Sequence, residues 1–411
     1  MGAGDAQARG GRSWRPLNSR FRHMFRLDSQ QRLSLFSRLL RTGRPFLAAL
    51  TVLGIAACGG GDDSDSLPSR LTASEAAQML TTPSKSYPSA LAVRVTSTSA
   101  EVKVRGVQKL GGSTLNGDEA FPMGSMTKSM TATLAGVLVQ EGRISWSSKV
   151  LDILPELAAS ARSEYASITI TDLLAHRGGI FPAVTPEQIA LLPELTGTAA
   201  EQRLQLAYWV LNRPSTSQPG ARTQYSNGGY VLAAAVLERA GGQAYETLLQ
   251  AKVFAPLGAT VRFGAPGTTA GEPWGHATTG NTWQAVNPSD PDAQFPAFAN
   301  PAGGAKLSGA AFARYLQMHL RATRGTAGEV LTPATAKVIH TVIQDGTALG
   351  WQEGQDLEGR AIRWHNGSDD ASYYGLVAMS LNADIASGVV VMGMGAKSEG
   401  DASEATVRML R

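Results

Sequence analysis

One cysteine in 411 residues excludes a disulfide framework and any cluster of thiolate-held metal. Charged residues make up only 17 % of the chain, while apolar ones reach 43 %. That balance excludes disorder and a coiled coil, and it suffices for a large core. Also missing are G-x-S-x-G, H-E-x-x-H and G-x-x-x-x-G-K-[ST]. An α/β-hydrolase, a zinc peptidase and a nucleotide-binding enzyme would each lack their usual residues. His176, His276, His319, His340 and His365 are widely spread along the chain, so neither a metal site nor any other cofactor is expected. His176 reads as a loop-stabilising hydrogen-bonding residue.

The net charge of +4 is misleading, because residues 1–57 hold ten Arg and no Lys against Asp5 and Asp28. The remainder, Cys58 to Arg411, carries 27 basic and 31 acidic side chains. The basic character therefore belongs to the leader, and no nucleic-acid partner is expected. Pro45–Ala57 is a 13-residue apolar run behind Arg41 and Arg44, short of the roughly 20 residues that span a bilayer. It reads as the core of a secretory signal. Ile55-Ala56-Ala57-Cys58, followed by Gly59-Gly60-Gly61-Asp62-Asp63, resembles a bacterial lipobox with its tether. The resemblance implies cleavage before Cys58, a lipid on its thiol and membrane attachment. Gly59 implies the outer membrane where there are two. An ordinary signal peptide with an incidental Cys, or a short buried helix, are the alternatives, and Met24 is a second candidate start.

The expected plan is a signal peptide over 1–57, a mobile tether over 58–70, and one domain over 71–411 with a helical insertion at about 145–300. Leu91–Val95 and Glu101–Arg105 alternate like a hairpin. A helix should run from near Ser125 to Gly142, apolar or small on nearly every face and so buried all round. Further helices are expected at Ile168–Leu174, Ala199–Leu211, Tyr230–Leu248 and Gly309–Arg321. Gly264–Gly304 reads as loop. Strands are expected at Ala361–His365, Tyr373–Leu381 and Gly388–Met394, with a short helix at Ala402–Arg411. Strands at both ends with helices between imply an α+β fold whose termini meet in one mainly antiparallel sheet.

Ser125-Met126-Thr127-Lys128 sets a hydroxyl and an amine three residues apart on one helical face. At a helix start the serine N–H lacks an intrahelical partner and is free to hold a developing oxyanion. Lys128 can act as a base only if burial or a neighbouring cation depresses its pKa. A capping serine with a solvated lysine is the plainer reading. Tyr225-Ser226-Asn227 lies between Pro219-Gly220 and Gly228-Gly229, in a tight turn or just before a helix. There Tyr225 can move a proton and Asn227 can bond an amide, or both can serve packing alone. His365-Asn366-Gly367-Ser368 closes a strand; Gly367 lets a ligand backbone approach, and the Ser368 N–H is a second candidate oxyanion donor. An exposed histidine at a strand end is the alternative.

Together, in this order, the three segments resemble the serine penicillin-recognising enzymes: class C β-lactamases, D-alanyl-D-alanine carboxypeptidases and related esterases. Leu173–Gly179, Pro219-Gly220, Pro301-Ala302-Gly303-Gly304 and Leu349-Gly350-Trp351 add to the likeness. It implies a β-lactamase/transpeptidase-like fold with Ser125 as acylated nucleophile, Lys128 as activating base, Tyr225 as proton relay and Asn227 as a contact to substrate and Lys128. His365 would bind a substrate carboxylate or steer protons, with Gly367 and Ser368 beside it. Whether Lys128 or Tyr225 is the base in each half-reaction stays open. His-Asn-Gly stands where dedicated class C enzymes carry Lys-Thr-Gly, which points to carboxypeptidase-like or esterase-like chemistry on small molecules or peptidoglycan-derived peptides, by a monomer. A β-lactamase and a non-hydrolysing penicillin or cell-wall peptide binder are the alternatives. The C-terminal helix is short for that family, leaving one sheet face without an evident cover.

Overall fold

A computed structural model describes residues 67–279 and 282–411. The expected leader, Cys58 and the tether as far as residue 66 lie outside the described residues. The last tether residues are not loose: Arg408 bonds the Ser69 carbonyl and hydroxyl, and Arg411 bonds the Leu67 carbonyl. Among the described residues no helix is long and apolar enough to cross a membrane.

The first element, α1 (Ala73–Thr81), starts at a capping box in which the Thr72 hydroxyl accepts from the Glu75 N–H and the Glu75 carboxylate accepts from the Thr72 N–H. The sequence reading missed this helix, although Thr-x-x-Glu was a visible signal. β1 (Ser89–Val95) and β2 (Ala100–Gly106) form the expected hairpin. After β3 (Ala120–Pro122) the chain makes a 3-10 turn, Gly124–Met126, and continues as α2 (Thr127–Gln140). All but its last two residues are buried, and Gly142 ends it in the left-handed conformation, φ 68°.

The helical stretch that follows contains α3 (Ala199–Leu211) and α4 (Asn227–Gly241). The expected continuous helix Tyr230–Leu248 is instead broken: Gly242, φ 72°, caps α4, and a separate short helix covers Tyr245–Leu249. β4 (Val261–Phe263), β5 (His276–Thr279), β6 (Thr282–Ala285) and β7 (Ala305–Ser308) come next. Gly264–Gly304 is therefore not all loop, since β5 and β6 pair within it. The chain then runs through α5 (Gly309–Thr323), α6 (Pro333–His340), β8 (Gln352–Gln355), β9 (Ala361–Ser368), β10 (Tyr374–Ser380), β11 (Ala386–Val391) and α7 (Ser398–Met409).

Six strands form one antiparallel sheet in the order β2-β1-β11-β10-β9-β8. Strands from the two chain ends meet at β1 and β11, as expected. β1, β10 and β11 are buried along their whole lengths, because helices cover both faces. α1 and α7 pack together on one face, burying Ala76, Leu80, Ala402, Ala405 and Met409 against Leu376 and Val389. α7 begins four residues before the expected Ala402, and with α1 it supplies the cover that seemed missing. Each large apolar side chain so buried contributes about 1.5–3 kcal/mol. α5 lies on the opposite face, with α2 beyond it, in a core cluster that runs without a break into the helices of the insertion. The site lies at the edge of this second layer, where β9 touches the Gly124–Met126 turn.

Candidate active site

Three segments distant in sequence meet at Ser125. Its hydroxyl accepts from the Tyr225 hydroxyl at 2.7 Å and lies 3.1 Å from Lys128 Nζ. Lys128 also bonds Asn227 Oδ1 at 2.8 Å and the Ala302 carbonyl at 2.6 Å. Its side chain is fully buried and faces the rings of Tyr225 and Tyr230, with Nζ 4.7 and 5.5 Å from their centroids.

Among the described residues no acid partners the amine, and burial drives its pKa well below the usual lysine value. As a neutral amine it keeps two donors, matching the two short bonds to Asn227 and Ala302. The lone pair is then left for the Ser125 proton. Burial has the opposite effect on the Tyr225 phenol, whose pKa is raised. Tyr225 is thus held protonated and donates to Ser125 Oγ. The arrangement can take a proton from one side of the serine oxygen and return one from the other.

Each partner is positioned by its own local structure. Ser226 caps α4, its Oγ accepting from the Gly229 N–H and donating to the Phe181 carbonyl. Asn227, the first residue of α4, fixes its amide by donating from Nδ2 to the Ala183 carbonyl. That leaves Oδ1 facing Lys128. His176, in the left-handed conformation at φ 58°, accepts the Ser226 N–H on Nδ1 at 3.1 Å and the Gln224 N–H on its carbonyl at 2.7 Å. Its ring packs on Tyr225 at 4.5 Å. Thus His176 has the loop-stabilising contacts its sequence context suggested, and they hold the Tyr225 turn.

β9 runs three residues further than the expected strand, so His365, Asn366, Gly367 and Ser368 all lie within it. β8 pairs only as far as Trp364, which leaves that end of the strand open on its β8 side. Its backbone presses on the Ser125 turn. A Cβ at Gly367 would sit 2.0 Å from the Met123 carbonyl oxygen and 3.1 Å from the Ser125 nitrogen. A Cβ at Gly124, φ 51°, would lie 2.6 Å from the Ser368 nitrogen. Glycine at both places lets the Ser125 and Ser368 main chains come together, where their N–H groups can act on one oxygen atom. His365 is buried, with its pKa pushed down to about 3, first by burial and then by Lys128.

The supporting motifs have identifiable contacts. The turn Asn300–Gly303 carries Ala302, whose carbonyl accepts from Lys128; the sequence offered it within the Pro301–Gly304 motif without a role. Arg203, fully buried, bonds Glu238 and Glu246; Glu246 in turn accepts from Asn300 Nδ2 at 2.8 Å. Gly350, φ 75°, allows its loop against α2, since a Cβ there would meet the Lys128 carbonyl oxygen at 2.6 Å. His319 and His340, far apart in sequence, meet with their ring nitrogens 3.0 Å apart beneath Trp351.

Residues 84–410 match the family model described as Beta-lactamase. The chain is 25 % identical over 268 residues to penicillin-binding protein 4 of Amycolatopsis lactamdurans, covering 62 % of this chain and 68 % of that one. It spans about a third of the length of other curated relatives it matches. Among solved structures, a D-alanine carboxypeptidase from Burkholderia cenocepacia superposes with a TM-score of 0.62 at 19 % identity, covering 82 % of this chain and 99 % of that one. A D-amino acid amidase from Ochrobactrum anthropi superposes with a TM-score of 0.64 at 17 % identity, over 82 % and 96 %. At those identities the likeness establishes the fold.

Proposed function

The chain belongs to the β-lactamase family of serine hydrolases, and from that premise we propose that it hydrolyses small amides or esters, D-alanyl peptides among them, through an acyl-enzyme on Ser125. One observation carries the reading: the Ser125 hydroxyl stands between a buried amine, without an acid partner among the described residues, and a protonated phenol. Lys128 Nζ takes the Ser125 proton as Oγ bonds to the substrate carbonyl carbon. The N–H groups of Ser125 and Ser368 hold the oxyanion, worth about 10²–10³ in rate for one such donor. Tyr225 passes a proton to the leaving nitrogen or oxygen as its bond to the carbonyl carbon breaks. The Lys128 ammonium returns its proton to the Tyr225 phenolate, which resets both groups; water then attacks the ester carbonyl carbon, giving a proton to Lys128 while Tyr225 protonates Ser125 Oγ as the carbon–Oγ bond breaks.

Asn227 positions Lys128 and offers its remaining N–H to a substrate carbonyl. Neither metal nor other cofactor enters this scheme, and the substrate is a small molecule or peptide met by a monomer. The composition of the leader supports export and lipid attachment at Cys58 as the route to a membrane surface. A neutral His365 attracts a β-lactam carboxylate less than a permanent cation would, which disfavours strong antibiotic hydrolysis.

The test is steady-state release of nitrophenol from p-nitrophenyl acetate together with labelling by a fluorescent penicillin. We expect turnover of the ester by the wild-type chain and loss of both signals in Ser125→Ala. Retained turnover in that variant would overturn the nucleophile assignment. A stable label without turnover of any acyl substrate would favour the non-hydrolysing binder.

A further inference from the structure

The chain enters the domain at a point fixed by its own C-terminal end. Leu71 is buried in the cluster formed by α1, α7 and the sheet, and its N–H donates to the Arg408 carbonyl at 3.2 Å. Just before it, Arg408 donates to the Ser69 carbonyl from Nε and to the Ser69 hydroxyl from Nη2, both at 3.0 Å. Arg411 donates to the Leu67 carbonyl at 3.2 Å and also bonds the Pro68 carbonyl. Arg411 lies 3.5 Å from Glu358, and Arg360 donates to the Leu410 carbonyl at 2.8 Å. Residues 67–69 are therefore clasped beside the turn that joins β8 to β9.

That turn marks one end of the six-stranded sheet, and the site lies at the other. β9 starts there at Ala361 and ends at Ser368, against the Ser125 turn, a rise of about 23 Å. The ladder extends this division across the sheet. Ile362 pairs with Ser380, Met379 with Ala386, and Ala386 with Val95, so the β10–β11 and β1–β2 turns share the tether's end. Ser368 pairs with Tyr374, and Tyr374 with Val391, so the chain leaving β11 shares the catalytic end.

A lipid on Cys58 sets the bilayer nine residue steps from Leu67, which reach about 30 Å when fully extended. With the tether's end of the sheet against the lipid, that length is ample. With the catalytic end against it, Leu67 stands at least about 23 Å away, and the tether must be drawn nearly straight, at the cost of its backbone freedom. Release of residues 67–70 would lengthen the free stretch to Leu71, or about 45 Å, enough for the domain to turn over.

We propose that Arg408 and Arg411 clasp the tether so that the anchored domain meets the lipid surface with its β1–β2, β8–β9 and β10–β11 turns. The Ser125 cleft then stands at the far end, open to substrates in the aqueous space and turned away from any held in that bilayer. This rests on the lipid attachment proposed at Cys58 and leaves the acyl-enzyme chemistry unchanged.

Cys58 is the only cysteine, and the lipid consumes its thiol, so an introduced cysteine alone takes a dye. The experiment labels Thr98→Cys, in the β1–β2 turn, and Ala396→Cys, beyond β11, both exposed positions. Each protein is purified from membranes and reconstituted in phosphatidylcholine vesicles carrying an acceptor dye on their headgroups, and energy transfer gives the height of the label. Circular dichroism checks folding. We expect the dye at 98 to lie closer to the lipid than the dye at 396 by about 20 Å, the rise of β1. Replacing both Arg408 and Arg411 by alanine should shrink that difference by about half or more as the tether lengthens. Equal heights, or a lower dye at 396, in vesicle-bound protein would overturn the orientation and leave the anchor standing. An unchanged difference in the double variant would overturn the role of the clasp. Protein that does not bind vesicles, or that stays bound as Cys58→Ser, would overturn the lipid attachment and this inference with it.

Discussion

Replacing Gly367 by alanine tests how tightly β9 is set against the nucleophile. The added methyl would lie 2.0 Å from the Met123 carbonyl oxygen and 3.1 Å from the Ser125 nitrogen. Real carbon–oxygen contacts do not fall below about 3 Å, so strand and turn must part by about 1 Å. Overpacking of this kind costs about 1–3 kcal/mol of stability, which a domain of this size should survive. The larger effect falls on chemistry. Misplacement of about 1 Å, or loss of one oxyanion donor, lowers turnover by about 10²-fold or more. The assay is kcat and KM on p-nitrophenyl acetate, with thermal unfolding and circular dichroism to show that Gly367→Ala remains folded. kcat should fall by about 10²-fold with little change in KM. Gly400→Ala is the matched control. A Cβ at that helical position in α7 meets nothing within 4 Å, so it should stabilise the chain by about 0.5–1 kcal/mol and leave turnover unchanged. If Gly367→Ala is folded and keeps kcat to within about threefold, the proposed oxyanion site is not where the reaction occurs.

Because burial lowers the Lys128 pKa, kcat/KM should fall on the acid side as the amine gains a proton, with a limb below the ordinary lysine value of 10.5. His365, at about 3, stays neutral between about pH 5 and 9, so a limb near 6.5 that disappears in His365→Asn would contradict this assignment. The same Lys128 shift means that the unfolded chain binds more protons, so this group's contribution to stability declines as pH falls from 10.5 towards its folded value. Arg203→Met leaves Glu238 and Glu246 without their shared cation and should cost about 3–5 kcal/mol, read as a drop of several degrees in Tm; an unchanged Tm would refute the importance of that network. On the proposed lipid attachment, Cys58→Ser should move the protein from the membrane to the soluble fraction, and continued membrane association would count against the lipid anchor.

What the sequence discloses about this molecule is mostly local. The Ser125–Lys128 spacing, the buried character of α2 and the alternation of β1 and β2 are visible because helix and strand periods act within a few residues. The left-handed glycine that divides Tyr230–Leu248 was also visible as Gly241-Gly242, but the apolar pattern on either side of it concealed the break. The contacts that define the remaining roles at the site are tertiary and run through the main chain. Ala302 acts through its carbonyl, which no side-chain motif announces. His176 serves by accepting one N–H of the turn that carries Tyr225, and the orientation of the His365 ring is set by a bond to its neighbour's carbonyl. α1, which completes the cover over β10 and β11 with α7, was announced only by its capping box.

The most direct measurement is the mass of the protein quenched during turnover of a slow acyl substrate, followed by peptide mapping. The account predicts one added acyl group on the peptide containing Ser125, absent from Ser125→Ala and from unreacted protein. An acyl group mapped to any other residue, or steady hydrolysis by Ser125→Ala at the wild-type rate, would contradict it.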